Sequence, residues 1–175
     1  MTKKTFLILI STLLISAGSF AQKFAYVDTD YILSNIPEFS QAQDKLDEIS
    51  KQWQGDIEAI YTEVDKMYRD YQSQEVLLTD EMKTKREAAI IAREKSAKDL
   101  QKKRFGPEGD LHAKRQELVK PIQDKVYDAI QQLASNSKYA VIFDSSSDLI
   151  MLYSNPNLDK SDKVLENMGY IGKGK

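Results

Sequence analysis

Residues Pro37–Tyr71, PEFSQAQDKLDEISKQWQGDIEAIYTEVDKMYRDY, decide the fold of this chain. Apolar side chains recur at Phe39, Ala42, Leu46, Ile49, Trp53, Ile57, Ile60, Val64, Met67 and Tyr71, always three or four residues apart. That alternation is the a/d seam of a coiled coil, with one extra residue between Trp53 and Ile57, where Gly55 also sits. The spacing predicts a long amphipathic helix whose seam needs a partner.

The next stretch of the chain supplies one. Met82 to Arg104 has helical composition and a weak seam of small residues, Ala88, Ala89, Ala92, Ser96 and Ala97. Residues 38–82 hold 12 acidic and 4 basic side chains, whereas residues 83–104 hold 9 basic and 3 acidic ones. Folding the two antiparallel sets opposite charges against each other, and small residues let the backbones approach. Thr79, followed by Asp80 and Glu81, predicts an N-cap with an acidic first turn, which puts the tip near Glu75 to Thr79. No glycine or proline marks that tip, so one uninterrupted helix competes with the hairpin, although a lone helix would leave its seam wet. Each leg of about 37 residues would reach roughly 55 Å, too far to pack on a small body, so the arm is expected to project.

The first 21 residues read as an export signal. Lys3 and Lys4 precede a ten-residue apolar core, Phe6 to Ile15, and Ser19-Phe20-Ala21 is a small-x-small cleavage site. A bilayer span takes roughly 20 apolar residues, so a retained anchor is the weaker reading. With no cysteine, neither a lipid-anchored form nor a disulfide is available to this chain. The expectation is a soluble, periplasmic protein cleaved after Ala21. Its mildly acidic balance argues against a nucleic-acid binder.

Flanking the arm (37–109), segments 22–36 and 110–175 predict an α+β body. Phe24 to Val27 reads as a strand, and Asp28 as the cap of a short helix through Tyr31, Ile32 and Leu33. Asp28 with Asp30 is the alternative, a carboxylate pair for acid/base or metal chemistry. Gly106-Pro107-Glu108-Gly109 predicts a kink or loop in the returning leg. A second amphipathic run follows at Leu111, Arg115, Leu118, Ile122, Val126, Ala129 and Leu133, with Pro121 inside it and a stop at Ser135-Asn136-Ser137-Lys138. Tyr139 to Phe143 and Leu149 to Tyr153 predict two strands joined as a hairpin by Asp144 to Asp148. Asn155-Pro156-Asn157 turns the chain, Asp159 to Ser161 caps a last helix through Val164, Leu165 and Met168, Gly169 ends it, and Gly172 to Lys175 reads as a disordered tail. About three short strands per chain, with open edges and little apolar area, would need to share a core in an oligomer.

Chemistry-bearing patterns are weak. Asp144, Ser146 and Asp148 imitate the opening of a calcium loop, but Leu149 stands where glycine is needed and Asn155 where glutamate is. Ser135-Asn136-Ser137-Lys138 has the Ser-x-x-Lys spacing without its partner motifs. His112 is the lone histidine, and no phosphate loop or nucleophile elbow accompanies it. No enzyme activity, metal or cofactor is expected. Two surface features remain. Lys95, Lys98, Lys102, Lys103 and Arg104 form a basic stripe that could meet anionic lipid or lipopolysaccharide, or pair with the acidic leg. Tyr61 and Tyr68 off the seam, Ile90-Ile91, and Val76-Leu77-Leu78 at the tip exceed what one arm can bury, the mark of a binding surface or of arm-to-arm packing.

Phe24-Ala25-Tyr26-Val27-Asp28, Tyr139-Ala140-Val141-Ile142-Phe143-Asp144, Tyr153-Ser154-Asn155 and Leu158-Asp159-Lys160-Ser161-Asp162-Lys163-Val164-Leu165, set around the coiled hairpin, resemble the Skp/OmpH family of periplasmic chaperones. The resemblance implies a homotrimer with strands closed into a small barrel and three helical tentacles around a cavity. There, unfolded outer-membrane β-barrel proteins would be held soluble without ATP until insertion. It carries over no catalytic residue, and Gly106-Pro107-Glu108-Gly109 departs from the family's more continuous returning helix. Client contact is expected at Tyr61, Met67, Tyr68, Tyr71, Val76, Leu77 and Leu78, where tyrosine and methionine suit weak, adaptable binding. The competing reading is an exported coiled-coil spacer or adaptor that docks a folded envelope partner.

Overall fold

A computed structural model describes residues 22–147 and 151–172 of the chain, which form two compact units, one of 22–32 with 128–172 and one of 33–127. In chain order the elements are strand β1 (Lys23–Val27), helices α1 (Thr29–Ser34), α2 (Pro37–Gln74), α3 (Asp80–Phe105), α4 (Asp110–Leu118) and α5 (Lys120–Ser137), strand β2 (Tyr139–Asp144) and helix α6 (Ser161–Asn167). Single 3-10 turns lie at Glu75–Leu77 and Pro156–Leu158. The class is α+β with long helices and a small sheet.

In unit 33–127 the helices start and stop where proline and capping chemistry require. Ile36, held extended (φ −96°, ψ 112°) because Pro37 follows it, opens α2 with the proline in the first turn. At 38 residues, α2 is about 57 Å long. Its far end tightens into the 3-10 turn, Leu78 extends the chain, and the Thr79 hydroxyl accepts the Met82 N–H at 3.3 Å to begin α3. Asp80 and Glu81 in the first turn of α3, and Lys102, Lys103 and Arg104 in its last, complement the helix dipole.

The two legs run antiparallel. Tyr71 meets Glu87, Glu63 meets Arg93, and Trp53 meets Phe105, so contacts move down one helix as they move up the other. An uninterrupted helix is thereby overturned in favour of the hairpin. Every α2 seam position, from Phe39 to Tyr71, is buried or half-buried. The α3 seam differs from expectation. Ala88, Ala89, Ala92 and Ser96 are exposed; the inward row is Lys83, Arg86, Ile90, Arg93, Ala97, Leu100 and Arg104, of which Ile90 and Ala97 are buried. Lys and Arg can cover apolar surface with their methylene stems while the charged ends reach water, so a cationic row does what a small-residue row was expected to do. Charge pairing is also local: Arg93 joins Glu63 across the hairpin, whereas Lys98 pairs with Glu94 one turn back in α3.

The returning leg breaks at 106–109. Pro107 has no N–H to give and holds Gly106 extended (φ −63°, ψ 167°), so α3 ends with the Gly106 N–H on the Lys102 carbonyl. The turn is tight enough that a Cβ on Gly109 would lie 2.7 Å from the Lys103 carbonyl oxygen. Beyond it, α4 packs on the start of α2 through Ala42, Leu46 and Val119, with Phe39, Leu111, Leu118 and Ile122 around them. The run that holds Pro121 is interrupted at a single residue, Val119, whose backbone stays right-handed helical (φ −98°, ψ −41°). Pro121 itself sits in the first turn of α5.

In unit 22–32 with 128–172, Ala25, Val27, Ile32, Ala129, Leu133, Val164 and Leu165 are buried. Asp28 caps α1, its carboxylate accepting the Tyr31 N–H at 2.9 Å. Helix α5 stops at Ser137 because Lys138 turns left-handed (φ 57°), and Gly169 (φ 86°) closes α6. No pairing of Tyr139–Phe143 with the expected hairpin partner Leu149–Tyr153 is seen among the described residues. Strand β2 pairs in parallel with β1 (Phe24 with Val141, Tyr26 with Phe143), Met151–Tyr153 is not strand, and Leu149 and Ile150 lie outside the described residues, as do the signal segment and Lys173–Lys175 of the tail. The link is held toward β1 and α1 instead: Ser145 N–H donates to the Val27 carbonyl at 2.7 Å, and Asp144 accepts from Thr29 and Ser146. On the other edge of β1, Lys160 N–H reaches the Tyr26 carbonyl at 2.9 Å. Among the described residues the sheet thus has two strands and a bridge at Asp159.

Ser161 locks this unit. Its hydroxyl accepts the Asp28 N–H at 2.9 Å and donates to the Asp159 carboxylate at 2.6 Å, with the side chain 1 % exposed. Alanine there would strip the half-buried Asp28 N–H and Asp159 carboxylate of that partner. Ser161→Ala is therefore expected to cost about 1–3 kcal/mol in urea unfolding, more than a surface serine would.

Candidate binding surface of the helical hairpin

Seam closure leaves particular apolar side chains outside. Tyr68 is 52 % exposed, Val76 91 %, Leu77 82 %, Met82 47 % and Ile91 64 %. Val76 and Leu77 lie in the 3-10 turn and Met82 in the first turn of α3, so three of the five sit at the hairpin tip. The register set by Tyr71–Glu87 and Glu63–Arg93 brings Ile91 near the level of Tyr68, a few turns back. An apolar surface of this kind on a charged helical pair is available to another chain.

The remaining expected contact residues are less open. Tyr61 and Leu78 are half-buried; Tyr61 lines a shallow groove of about 290 Å³ with Ile57 and Phe105, rimmed by Gln54, Glu58 and Gln101. Met67 is half-buried in a second groove of about 240 Å³ beside Ile90 and Ala89, with Arg86 and Asp70 at its mouth. Tyr71 is a seam residue whose hydroxyl donates to Glu87 Oε1. Met82 was not among the expected contacts; its place in the turn just after the Thr79 cap was the available signal.

The Glu87 hydrogen bond, then burial and the charges of Glu87 and Glu75, push the Tyr71 phenol from 10.0 up to about 12. A folded-state value above the unfolded one means that this contribution is fully present below pH 10 and is lost as the pH rises toward 12. Spectrophotometric titration should therefore show a late-ionising tyrosine, and Tyr71→Phe should remove it.

The basic stripe is only partly intact. Lys95, Lys98, Lys102 and Lys103 are exposed, but Lys98 is paired with Glu94. Arg104 turns away from it, lying 4.5 Å over the Trp53 ring and pairing with Asp110 at 2.5 Å. Phe105 meets the same indole edge-on, ring centres 6.3 Å apart at 79°. Sequence reasoning missed this cluster because its four members come from three separate helices, α2, α3 and α4.

Elsewhere the expected chemistry stays weak. Burial pulls the Asp144 carboxyl upward, but hydrogen bonds from Thr29 and Ser146 outweigh it and hold the group below the usual carboxylate range. Its oxygens are thus engaged by protein donors, the arrangement of a turn. His112 is exposed on α4. Among the described residues no group of three histidine, cysteine, aspartate or glutamate side chains is placed to hold a metal, and no helix is long and apolar enough to cross a membrane.

Known proteins share this design. The profile of the outer membrane protein (OmpH-like) family matches residues 23–168. The chaperone protein Skp of Vibrio cholerae is 27 % identical over 165 residues, covering 91 % of both chains. A protein of Aquifex aeolicus is also 27 % identical over 155 residues, 89 % of this chain and 91 % of its own. The crystal structure of an OmpH-like protein from Caulobacter crescentus superposes with a TM-score of 0.67 at 16 % identity, covering 85 % of each chain, a likeness of fold.

Proposed function

We propose that this chain, which belongs to the OmpH-like outer membrane protein family, is an ATP-independent holdase. It keeps unfolded outer-membrane β-barrel proteins soluble in the periplasm before their insertion. The observation that carries this reading is the set of exposed apolar side chains on an arm whose seam is already closed: Tyr68, Val76, Leu77, Met82 and Ile91. They are few and set among charges, which suits weak, reversible contacts in a compartment without ATP to drive release. Family membership and the likeness to a Skp chaperone support the client class. The leading segment, read as a signal cleaved after Ala21, supports the compartment.

The functional unit is an oligomer, a trimer by the family resemblance. Phe24, Val141 and Phe143 are 44 %, 41 % and 40 % exposed, and Phe24 with Val141 and Tyr26 with Phe143 share one face of the sheet, opposite buried Ala25 and Val27. A two-stranded sheet with an open apolar face is marginal alone and gains stability by association. Contact of Lys95, Lys102 and Lys103 with anionic lipid or lipopolysaccharide belongs to the same proposal as a peripheral, salt-sensitive interaction.

The test dilutes a urea-unfolded outer-membrane β-barrel protein into buffer with and without the mature chain, reading light scattering and sedimentation on the same samples. Suppressed scattering at about one oligomer per client supports the holdase. An oligomer that leaves the client to aggregate points to the adaptor alternative, with the tips docking a folded envelope partner. A dilution-insensitive monomer overturns the oligomer.

A further inference from the structure

Three irregularities lie within about a turn of one another along the hairpin. The returning leg is interrupted at 106–109. Facing the last turn of α3, just before this break, α2 carries the extra seam residue between Trp53 and Ile57, which locally unwinds a coiled coil. Gly55, exposed with nothing within 4 Å of where a Cβ would be, sits inside that same turn and weakens it relative to alanine. On either side the packing is firmer: Ala42, Leu46 and Val119 toward the start of α2, and Ile57, Ile90 and Ala97 toward the tip.

We infer that the arm hinges at this level and that Arg104 is the clasp that holds it straight. Its guanidinium makes the two contacts that bending at the break would sever. One is to Asp110, across the loop at the first residue of α4; the other is to the face of Trp53 on the unbroken helix. Phe105 backs the same indole edge-on. A planar cation serves here because it can stack on an aromatic ring and pair with a carboxylate at once, which a lysine ammonium does less well. Each contact is partly exposed and so modest, which suits a clasp that opens and recloses. The two halves of the arm would then adjust their angle while each keeps its own packing. The inference stands on the hairpin alone, whatever the arm binds.

The chain has no cysteine, so a spin-label pair at Lys95→Cys and Gln116→Cys, on α3 and α4 either side of the break, can be read without background. The labelled mature chain is diluted into unlabelled protein and no client is added. One narrow distance distribution is expected with Arg104 in place. Arg104→Ala is expected to broaden it with a second population and to lower the fluorescence anisotropy of Trp53, the sole tryptophan. Arg104→Lys should fall between the two, and Gly55→Ala added to Arg104→Ala should narrow the distribution again, which a globally unfolded variant could not do. A distribution that Arg104→Ala leaves unchanged, or one already broad in the parent, overturns the clasp. Parent-like behaviour of Arg104→Lys overturns the role of the ring, and failure of the glycine rescue overturns the position of the hinge.

Discussion

Serine at Tyr68, Val76, Leu77 and Ile91 together is expected to abolish suppression of client aggregation while leaving helix content, oligomer mass and unfolding midpoint close to those of the parent. The separation follows from exposure. All four side chains are more than half exposed in the free protein, so the fold loses little when they shrink, within about 0.5 kcal/mol each for ordinary surface positions. A client that covered them would gain about 1.5–3 kcal/mol per fully buried side chain. Losing even one or two such contacts weakens binding by about 3 kcal/mol, on the order of a hundredfold. The same scattering assay decides the matter, and protection at the parent level would remove the hairpin surface from the reading. Tyr71→Ser is the instructive contrast. That side chain is buried against Glu87, so its replacement should lower stability rather than act on clients selectively.

Phe143→Asp is expected to collapse the sedimentation mass to that of one chain. Phe143 pairs with Tyr26 across β1 and β2, on the face opposite Ala25 and Val27, and is 40 % exposed in the single chain. If that face packs on another copy, an aspartate would be buried there without a partner, a cost of several kcal/mol repeated at each symmetry-related contact. In the isolated chain the same residue would sit at the surface and be tolerated. Helical signal from the hairpin should survive, because its legs hold each other through their own seam. A variant that keeps the parent mass would show that the sheet face is not where copies meet.

The α2 seam was legible to the residue, because a three-and-four spacing sustained from Phe39 to Tyr71 leaves little choice of inward face. Proline punctuation at Pro37, Pro107 and Pro156, the Thr79 cap and the Gly169 stop were equally readable, since each acts on its immediate neighbours. The α3 seam was not. A search for apolar letters passes over Lys83, Arg86, Arg93 and Arg104, whose stems can do apolar work under a charged name. Strand partners also stayed hidden. Tyr139 to Phe143 announced a strand, but its pairing with Phe24 to Val27 depends on distant contacts such as Asp144 with Thr29, and a nearby β-rich stretch was the more obvious partner. On the binding surface the exposed tip was foreseen at Val76 and Leu77, whereas Met82 and the commitment of Tyr71 to Glu87 emerge only once the two legs are in register.

The sheet unit is assembled from opposite ends of the described sequence. The bonds that close it join residues 115 and 133 positions apart, Thr29 with Asp144 and Asp28 with Ser161. By contrast, the first link across the hairpin, Tyr71 with Glu87, spans 16. Loop closure entropy and contact order then set a sequence of events during synthesis. The hairpin can zip from its tip while synthesis continues, whereas β1, made early, must wait for Lys160 and Ser161 before its second edge and its lock exist. During that interval the apolar strand is exposed, so the slow step in making this protein is expected to be the completion of its smallest part.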